Sequence, residues 1–463
     1  MAKSSSIPKR SEVEKQYTWA IEDLFASDEL WEQEYNKIKE MLPKAEGYKG
    51  RLSESAKTLL EFLKLSDELG IMMERVYVYA NQKYHEDTAN SVYQELADKS
   101  EVLLVQTESA LSFATPEILT ISEETLEKFM EQEEGLKLYD FYLKNILRRK
   151  PHILSAEMEA LLADAGEMAS SPDNIYSKFN NADIKFPEIE DENGEKVRIT
   201  HGRFISLMES HDRRVRRDAF KGVYETYGTM KNTLAAIFSS NIKQELFFTK
   251  ARKYGSNLEK ALDDSNIPVE VYTNLIDAVH DNIGLMHRYI SLRKKILGLD
   301  ELHMYDIYTP LVQEIKMDIP YEEAKKIVAE GLKPLGEDYQ KVLQEGFNNR
   351  WIDVYENENK RSGAYSWGAY GTHPYVLLNY HGNLDNVFTL AHEMGHAIHS
   401  YYSDKTQPYI YAGYKIFVAE VASTCNEALL INHMLKTTDD KKMKAYLINH
   451  FLDTFRGTLF RQT

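Results

Sequence analysis

Disulfide chemistry is nearly absent from this sequence, because its 463 residues include a single cysteine, Cys425. One cysteine excludes a disulfide framework and favours a reducing compartment. Cys425 falls on the apolar side of a predicted helix, where a thiol behaves as a small hydrophobic group. We therefore expect a packed core residue at this position and not a nucleophile.

Proline, glycine and long apolar runs are also scarce. The 12 prolines and 22 glycines are fewer than average usage would give, which favours helices over loops and sheets. No run of 18 apolar residues occurs, so no membrane-spanning helix is predicted. The first eight residues carry no apolar segment of a secretory leader. These absences lead us to expect a cytoplasmic protein.

The sequence also lacks an excess of positive charge, since its formal net charge is −17. An acidic surface is poorly suited to nucleic acid or to anionic membranes, so neither is expected as a partner. The chain is long enough for two or three lobes with their own cores. Its oligomeric state is left open by the sequence.

Most of the chain shows helical periodicity, which predicts a mostly α fold. We divide it into an N-terminal helical lobe (1–182), a β-hairpin at the lobe boundary (183–200) and a second lobe (201–463). The hairpin is predicted from two short alternating segments joined by Asn193-Gly194, a pair typical of tight hairpin turns.

The most informative stretch is His392-Glu393-Met394-Gly395-His396. On a helix, residues four apart are separated by about 40° and about 6 Å, so both imidazoles can reach one metal ion. The glutamate between them then lies beside the ion, where it can take a proton from water. The pattern predicts a metal site of the kind used in metallopeptidases.

The periodicity around this motif supports a helix with its histidines turned away from the core. One face collects apolar residues, namely Val387, Leu390, Ala391, Met394 and Ile398. The opposite side carries His392, His396 and His399. We therefore expect a cleft or solvent on the histidine side, with His399 as a second-shell or substrate-binding candidate.

A catalytic zinc site uses three protein ligands and keeps one position for water. The metzincin arrangement would need a glycine at position 399 and a histidine at position 402, where this chain has His399 and Tyr402. The remaining choice is a glutamate from a following helix, predicted over 414–434. Its apolar stripe is predicted as Val418, Ala422, Cys425 and Leu429.

Glu420, 24 positions after His396, is the predicted third ligand. Glu427 lies two turns further along the same helix face. It could hold a ligand histidine from the second shell, or lie on a solvated face or in a salt bridge. These readings stay open at this point.

The stretch from 361 to 380 is rich in aromatic residues and glycines and predicts a small sheet just before the metal helix. An edge strand there could pair with an extended peptide, although an ordinary strand pair covering the helix explains it as well. The substrate-binding candidates are Gly363, Ala364, Tyr365, Tyr370 and His373. His373 could equally be a turn residue.

Near its last residues the chain carries apolar side chains every four positions, at Leu447, Phe451, Phe455 and Leu459. No glycine cap follows this predicted helix. We therefore expect a further segment to pack against 447–463.

Three stretches in the second half carry a family resemblance, and they centre on Gly363–Gly368, Gly371–Tyr375 and Phe388–His396. Together with Ala419–Thr424, they resemble oligoendopeptidase F of the thimet oligopeptidase family of zinc metallopeptidases. The resemblance implies a mostly α, two-lobed enzyme with a central channel that admits unstructured oligopeptides. It also implies that His392, His396 and Glu420 bind one zinc ion and that Glu393 is the general base.

Members of that family continue beyond the position of Thr463 into a segment whose tyrosine and histidine residues are thought to stabilise the oxyanion. Within this chain, Tyr370 and His373 are the candidate donors. The function expected is a zinc metalloendopeptidase acting on short oligopeptides. The alternatives are a non-catalytic, zinc-containing peptide-binding protein and a zinc carboxypeptidase with the same ligands.

Overall fold

The computed structural model describes residues 7–312 and 318–463, and it is mostly helical, as predicted. The first helices are α1 (Asp28–Glu46), α2 (Ala56–Glu86), α3 (Ser91–Leu111), α4 (Ala114–Thr120), α5 (Glu123–Gln132), α6 (Asp140–Arg148), α7 (Ala156–Ala169), α8 (Ser171–Lys178), α9 (His201–Glu209) and α10 (Arg213–Thr229). They are followed by α11 (Lys231–Ala251), α12 (Asn257–Asp263), α13 (Val269–Ile296), α14 (Tyr321–Gly331), α15 (Glu337–Asn348), α16 (Leu384–Thr406), α17 (Tyr409–Ala412), α18 (Ile416–Thr437) and α19 (Lys441–Phe455). The strands are β1 (Glu188–Glu190), β2 (Lys196–Arg198), β3 (Ile352–Asp353), β4 (Tyr365–Trp367) and β5 (Tyr375–Leu377).

The chain folds into two compact units. The first unit combines Met1–Lys150 with Lys316–Thr437, and the second combines Pro151–Ile315 with Thr438–Thr463. The predicted lobes, 1–182 and 201–463 on either side of the hairpin at 183–200, are consecutive segments, and that division stays a prediction. The core of the first unit is built from distant stretches of the chain. Apolar residues of α1 to α3 pack there against Tyr375 and Leu377 of β5.

The small sheet predicted before the metal helix is present in the first unit. Its strand order is β3-β5-β4, with β5 antiparallel to β4 and parallel to β3. Strand β3 was not predicted, because two buried residues are too short a run to show a period. β4 is an edge strand, and both β4 and β5 pack against α16.

A buried charge network ties the N-terminal stretch to this sheet. Asp353 of β3 is fully buried and pairs with Arg10 at 2.5 Å and Lys360 at 2.7 Å. Burial alone would raise the pKa of Asp353, but the two cations outweigh it and hold that pKa below its usual value. A buried carboxylate that loses its cations typically destabilises a fold by about 3–5 kcal/mol. The pairing with Asp353 therefore holds Arg10 in place.

The predicted hairpin lies in the second unit. β1 and β2 pair antiparallel, with Glu190 opposite Lys196, and Gly194 in the turn has a φ of +82°. The first strand begins at Glu188, later than the pattern suggested, because a single π-helical turn occupies 179–183. Phe186, Ile199 and Val223 form a small core beneath the hairpin.

The last helix, α19, also belongs to the second unit. Leu447 is fully buried, whereas Phe455 is 44% exposed, and a π-helical turn follows at Arg456–Phe460. A further segment packing on 447–463 therefore stays a prediction. Within the described residues, none of the helices combines the length and apolar character needed to cross a lipid bilayer.

Candidate metal site

Helix α16 folds as its sequence pattern predicts. Asn383 caps its first turn by accepting a hydrogen bond from the Asn386 backbone N–H at 2.8 Å. The predicted apolar stripe is the buried one, since Val387, Leu390, Ala391, Met394 and Ile398 are at most 1% exposed. The three histidines lie on the other side and are partly exposed. The apolar face therefore fixes the rotation of the helix and leaves His392 and His396 available to a ligand.

Helix α18 approaches α16 very closely, and Gly395 makes this approach possible. A Cβ atom at Gly395 would lie 2.7 Å from Ser423 Cα and 2.9 Å from Ala422 O, distances that real side chains essentially never show. Asn426 strengthens the contact by donating a hydrogen bond to Ala391 O at 2.9 Å. The crossing brings the first turns of α18 next to the histidine face of α16.

The predicted apolar face of α18 was wrong. Cys425 is exposed rather than packed, and Val418 is 39% exposed. The residues that α18 buries are Ser423, Asn426, Leu430 and Ile431. Close backbone contact and polar hydrogen bonds select this face, so the apolar period does not identify it.

The three predicted ligands converge. Nε2 of His392 and Nε2 of His396 are 3.1 Å apart, and each lies 3.4–3.5 Å from Oε2 of Glu420. Zinc–ligand bonds of about 2.0–2.2 Å in a tetrahedral site place neighbouring ligand atoms about 3.3–3.6 Å apart. Two imidazoles and a carboxylate at these separations fit one divalent ion, and they form the one such cluster among the described residues.

Two further groups hold the ligands in place. Glu427 Oε1 accepts a hydrogen bond from Nδ1 of His392 at 2.5 Å, which leaves the lone pair of Nε2 free. Ser423 donates a hydrogen bond to Glu420 Oε2 at 2.7 Å. Burial alone would lower the pKa of His392, but the hydrogen bond and charge of Glu427 outweigh it and raise that pKa. This contact is the one that the supporting role of Glu427 requires, and it is equally a salt bridge, so that role stays a prediction.

Glu393 is the buried carboxylate of the site. It is 7% exposed, and its Oε2 atom has no hydrogen-bond partner among the described residues. Burial, reinforced by the charges of Glu420 and Glu427, raises the pKa of Glu393 to about 7 despite the opposing effect of His392. An unpaired carboxylate of this kind is destabilising unless a proton or a ligand satisfies it.

His399 lies one turn beyond His396 and outside the ligand cluster. Its ring stacks on Tyr414, with centroids 3.8 Å apart and planes 13° apart. Burial lowers the pKa of His399, and its Nδ1 atom has no hydrogen-bond partner in the described part of the chain. His399 was predicted as a site residue from the sequence, whereas Tyr414 and Ser423 were not. The helical spacing of Ser423 three residues after Glu420 could have indicated it, whereas no pattern pointed to Tyr414.

The substrate-binding candidates before the metal helix occupy β4 and its flanks. Gly363 and Ala364 precede β4, and Gly363 has a φ of +88° and is exposed. Tyr365 lies in β4, and its hydroxyl is 2.7 Å from Nδ1 of His85 in α2. Tyr365 is thus placed on an edge strand, with Gly363 and Ala364 immediately before it, and their contact with substrate stays a prediction.

Tyr370 and His373 have structural partners. The hydroxyl of Tyr370 donates to Gln407 O at 2.9 Å. The ring nitrogens of His373 lie 2.8 Å from Pro374 O and 3.1 Å from Asp23 Oδ2. These polar groups are thus engaged within the protein, and a role of Tyr370 and His373 at the oxyanion stays a prediction.

Comparisons with known proteins place the whole chain in one family. The model of peptidase family M3 matches residues 206–463, and a model described as oligopeptidase F matches residues 117–186. The chain is 50% identical to oligopeptidase PepF of Bacillus subtilis (strain 168) over 461 residues, covering 100% of this chain and 69% of that protein. It is 42% identical to group B oligopeptidase PepB of Streptococcus agalactiae, covering 98% of this chain and 75% of the relative.

Solved structures agree with this assignment. The crystal structure of oligoendopeptidase-F from Enterococcus faecium is 37% identical, with a TM-score of 0.67, and covers 94% of this chain and 73% of that one. A crystal structure from Chlamydophila abortus superposes with a TM-score of 0.91 at 34% identity, covering 99% of this chain and 77% of that one. The chain therefore belongs to peptidase family M3 and is an oligoendopeptidase F-like member of it.

Proposed function

We propose that this chain is a zinc-dependent endopeptidase that hydrolyses internal bonds of short, unstructured oligopeptides. The observation that carries the proposal is the convergence of His392, His396 and Glu420 within bonding distance of one ion, beside the buried carboxylate of Glu393. Three protein ligands leave a position for water, which is the pattern of catalytic rather than structural zinc sites. The oligopeptidase names of the relatives support the substrate class.

The protein groups divide the chemistry between them. Lewis acidity at the site, supplied by the ion when bound, lowers the pKa of water there from about 15.7 towards about 7 and polarises the scissile carbonyl. Glu393 accepts the proton of the attacking water and returns it to the leaving amine. Glu427 fixes the tautomer of His392, and Ser423 orients the carboxylate of Glu420.

The edge strand β4 is the proposed place for the substrate backbone. An extended peptide adds to an exposed strand edge through main-chain hydrogen bonds, which are independent of side-chain identity. Such binding suits a peptidase that accepts many sequences but needs an unfolded segment. Gly363, Ala364 and Tyr365 are the residues assigned to this contact.

The test compares the wild-type chain with Glu393→Gln, using zinc-loaded protein and a quenched fluorescent peptide blocked at both ends. Glu393→Gln should keep its zinc affinity and lose activity by about 10²–10⁴-fold, because a general base contributes about that factor. o-Phenanthroline should abolish wild-type cleavage, and added zinc should restore it. The matched control is Glu22→Gln, which changes a carboxylate paired with Arg350 in the same unit.

The outcomes separate the alternatives. Near-normal cleavage by Glu393→Gln would remove this residue as the base. Stable binding of peptide without chelator-sensitive cleavage would favour a non-catalytic, zinc-containing peptide-binding protein. Cleavage restricted to peptides with a free C-terminus would favour a carboxypeptidase.

A further inference from the structure

The third proposed ligand, Glu420, directly follows the first turn of α18, and this turn has little packing of its own. Ile416 is 82% exposed, Phe417 is 60% exposed and Val418 is 39% exposed. The first buried residue of the helix is Ser423, three positions after Glu420. Because burial does not hold this turn, the chain that leads into it contributes to its position together with the crossing at Gly395.

That leading chain is the connection from α16 to α18, residues 407–415, and its tyrosines are all fixed to other elements of the first unit. Tyr409 packs against Gly70 of α2, where an added Cβ would lie 2.7 Å from the Tyr409 Cε1 atom. The close contact requires a glycine at position 70. Tyr370 also contacts Tyr409, since the two rings pack edge-on with centroids 5.4 Å apart.

The next two tyrosines fix the connection at its middle and at its end. Tyr411 donates a hydrogen bond to Leu138 O at 2.8 Å and accepts one from the Tyr142 backbone N–H at 3.1 Å. Tyr414 stacks on His399, and its hydroxyl lies 3.1 Å from Ser400 Oγ. Tyr414 thus links the entrance of α18 directly to the helix that carries the two histidines.

We propose that Tyr409, Tyr411 and Tyr414 are positioning residues that set the place of Glu420 relative to His392 and His396. They act through the backbone of the connection, and none of them is among the three proposed ligands. This inference rests on the proposed function, because it assigns a metal to the three ligands. It also implies that part of the zinc affinity depends on contacts with α2 and α6, although these helices contribute no ligand.

The experiment measures zinc affinity by competition with a chromogenic chelator in the full chain. Gly70→Ala forces the Tyr409 ring to move, and Tyr414→Ala removes the stack on His399. Each should weaken zinc binding about tenfold, since residues that orient metal ligands typically contribute 10–100-fold. Tyr414→Phe keeps the ring and should bind zinc nearly as the wild type does. The matched control is Gly284→Ala in α13, another helical glycine, where the added Cβ meets nothing within 4 Å.

A second readout needs no metal. Amide hydrogens of 420–424, which bond to the carbonyls of the first turn of α18, should exchange faster in zinc-free Gly70→Ala and Tyr414→Ala than in the wild type, with no change in Gly284→Ala. Activity lost by the two variants should return at saturating zinc, because Glu393 and the histidines are intact. Should Gly70→Ala fail to fold, the comparison of Tyr414→Ala with Tyr414→Phe decides the matter.

His396→Ala separates this inference from the proposed function. If the wild type binds zinc no more tightly than His396→Ala, the metal site and the inference are both overturned. If the wild type binds tightly but Gly70→Ala and Tyr414→Ala match it in affinity and exchange, only the positioning role is overturned. A tenfold loss in both variants, with Gly284→Ala unchanged, supports it.

Discussion

Helices α16 and α18 supply all three proposed ligands, but different forces determine which face each helix buries. α16 turns a continuous apolar stripe inward, with Met394 and Leu390 fully buried. α18 leaves Val418 and Cys425 of its predicted stripe exposed, and it buries the polar residues Ser423 and Asn426 together with Leu430 and Ile431. Apolar periodicity therefore identifies the buried face of a helix only where apolar burial dominates the contact. Close backbone approach and buried hydrogen bonds can outweigh it.

The largest effect should come from truncating a buried apolar residue of α16, with an exposed apolar residue of α18 as the comparison. Met394→Ala removes a fully buried side chain and should destabilise the fold by about 2–5 kcal/mol. Val421→Ala on α18 changes a side chain that is 63% exposed and should stay within about 0.5 kcal/mol of wild type. Urea unfolding followed by circular dichroism measures both. Similar losses in the two variants would show that Val421 is packed in the folded protein and not exposed.

A smaller effect is expected at the helix crossing. Gly395→Ala places a methyl group against the backbone of Ser423, so α18 must move away from α16. Overpacking of this kind typically destabilises by about 1–3 kcal/mol, and zinc affinity should fall as Glu420 shifts. Gly228→Ala in α10 is the matched control, because its added Cβ meets no atom within 4 Å. Unchanged zinc affinity in Gly395→Ala would contradict the close crossing.

The smallest effect should come from the cysteine. Because Cys425 is exposed on α18, a thiol reagent should label it in the folded protein at a rate close to that of the unfolded chain. Cys425→Ser should change the free energy of unfolding by less than about 0.5 kcal/mol. Labelling that requires denaturant would restore the packed thiol that the sequence pattern predicted.

The sequence was sufficient for the fold class, for the hairpin turn at Gly194 and for the small sheet before the metal helix, because each has a short-range signal. It also identified His392, His396 and Glu420, which the structure brings together. It could not give the buried face of α18 or the role of Tyr414, since both depend on contacts between separate elements. The place of β4 at a sheet edge is likewise a tertiary property, and the binding of substrate there stays a proposal.

The first unit is built from two separate stretches of the chain, and this affects its folding during synthesis. Helices α1 to α3 share a core with Tyr375 and Leu377, which are synthesised more than 260 residues after the end of α3. At about 5–20 residues per second, the apolar surfaces of these helices remain without those partners for roughly 13–53 s. Nascent chains in that interval would expose apolar helix surfaces. The yield of folded protein in the cell should therefore depend on chaperone capacity more than the stability of the folded protein would suggest.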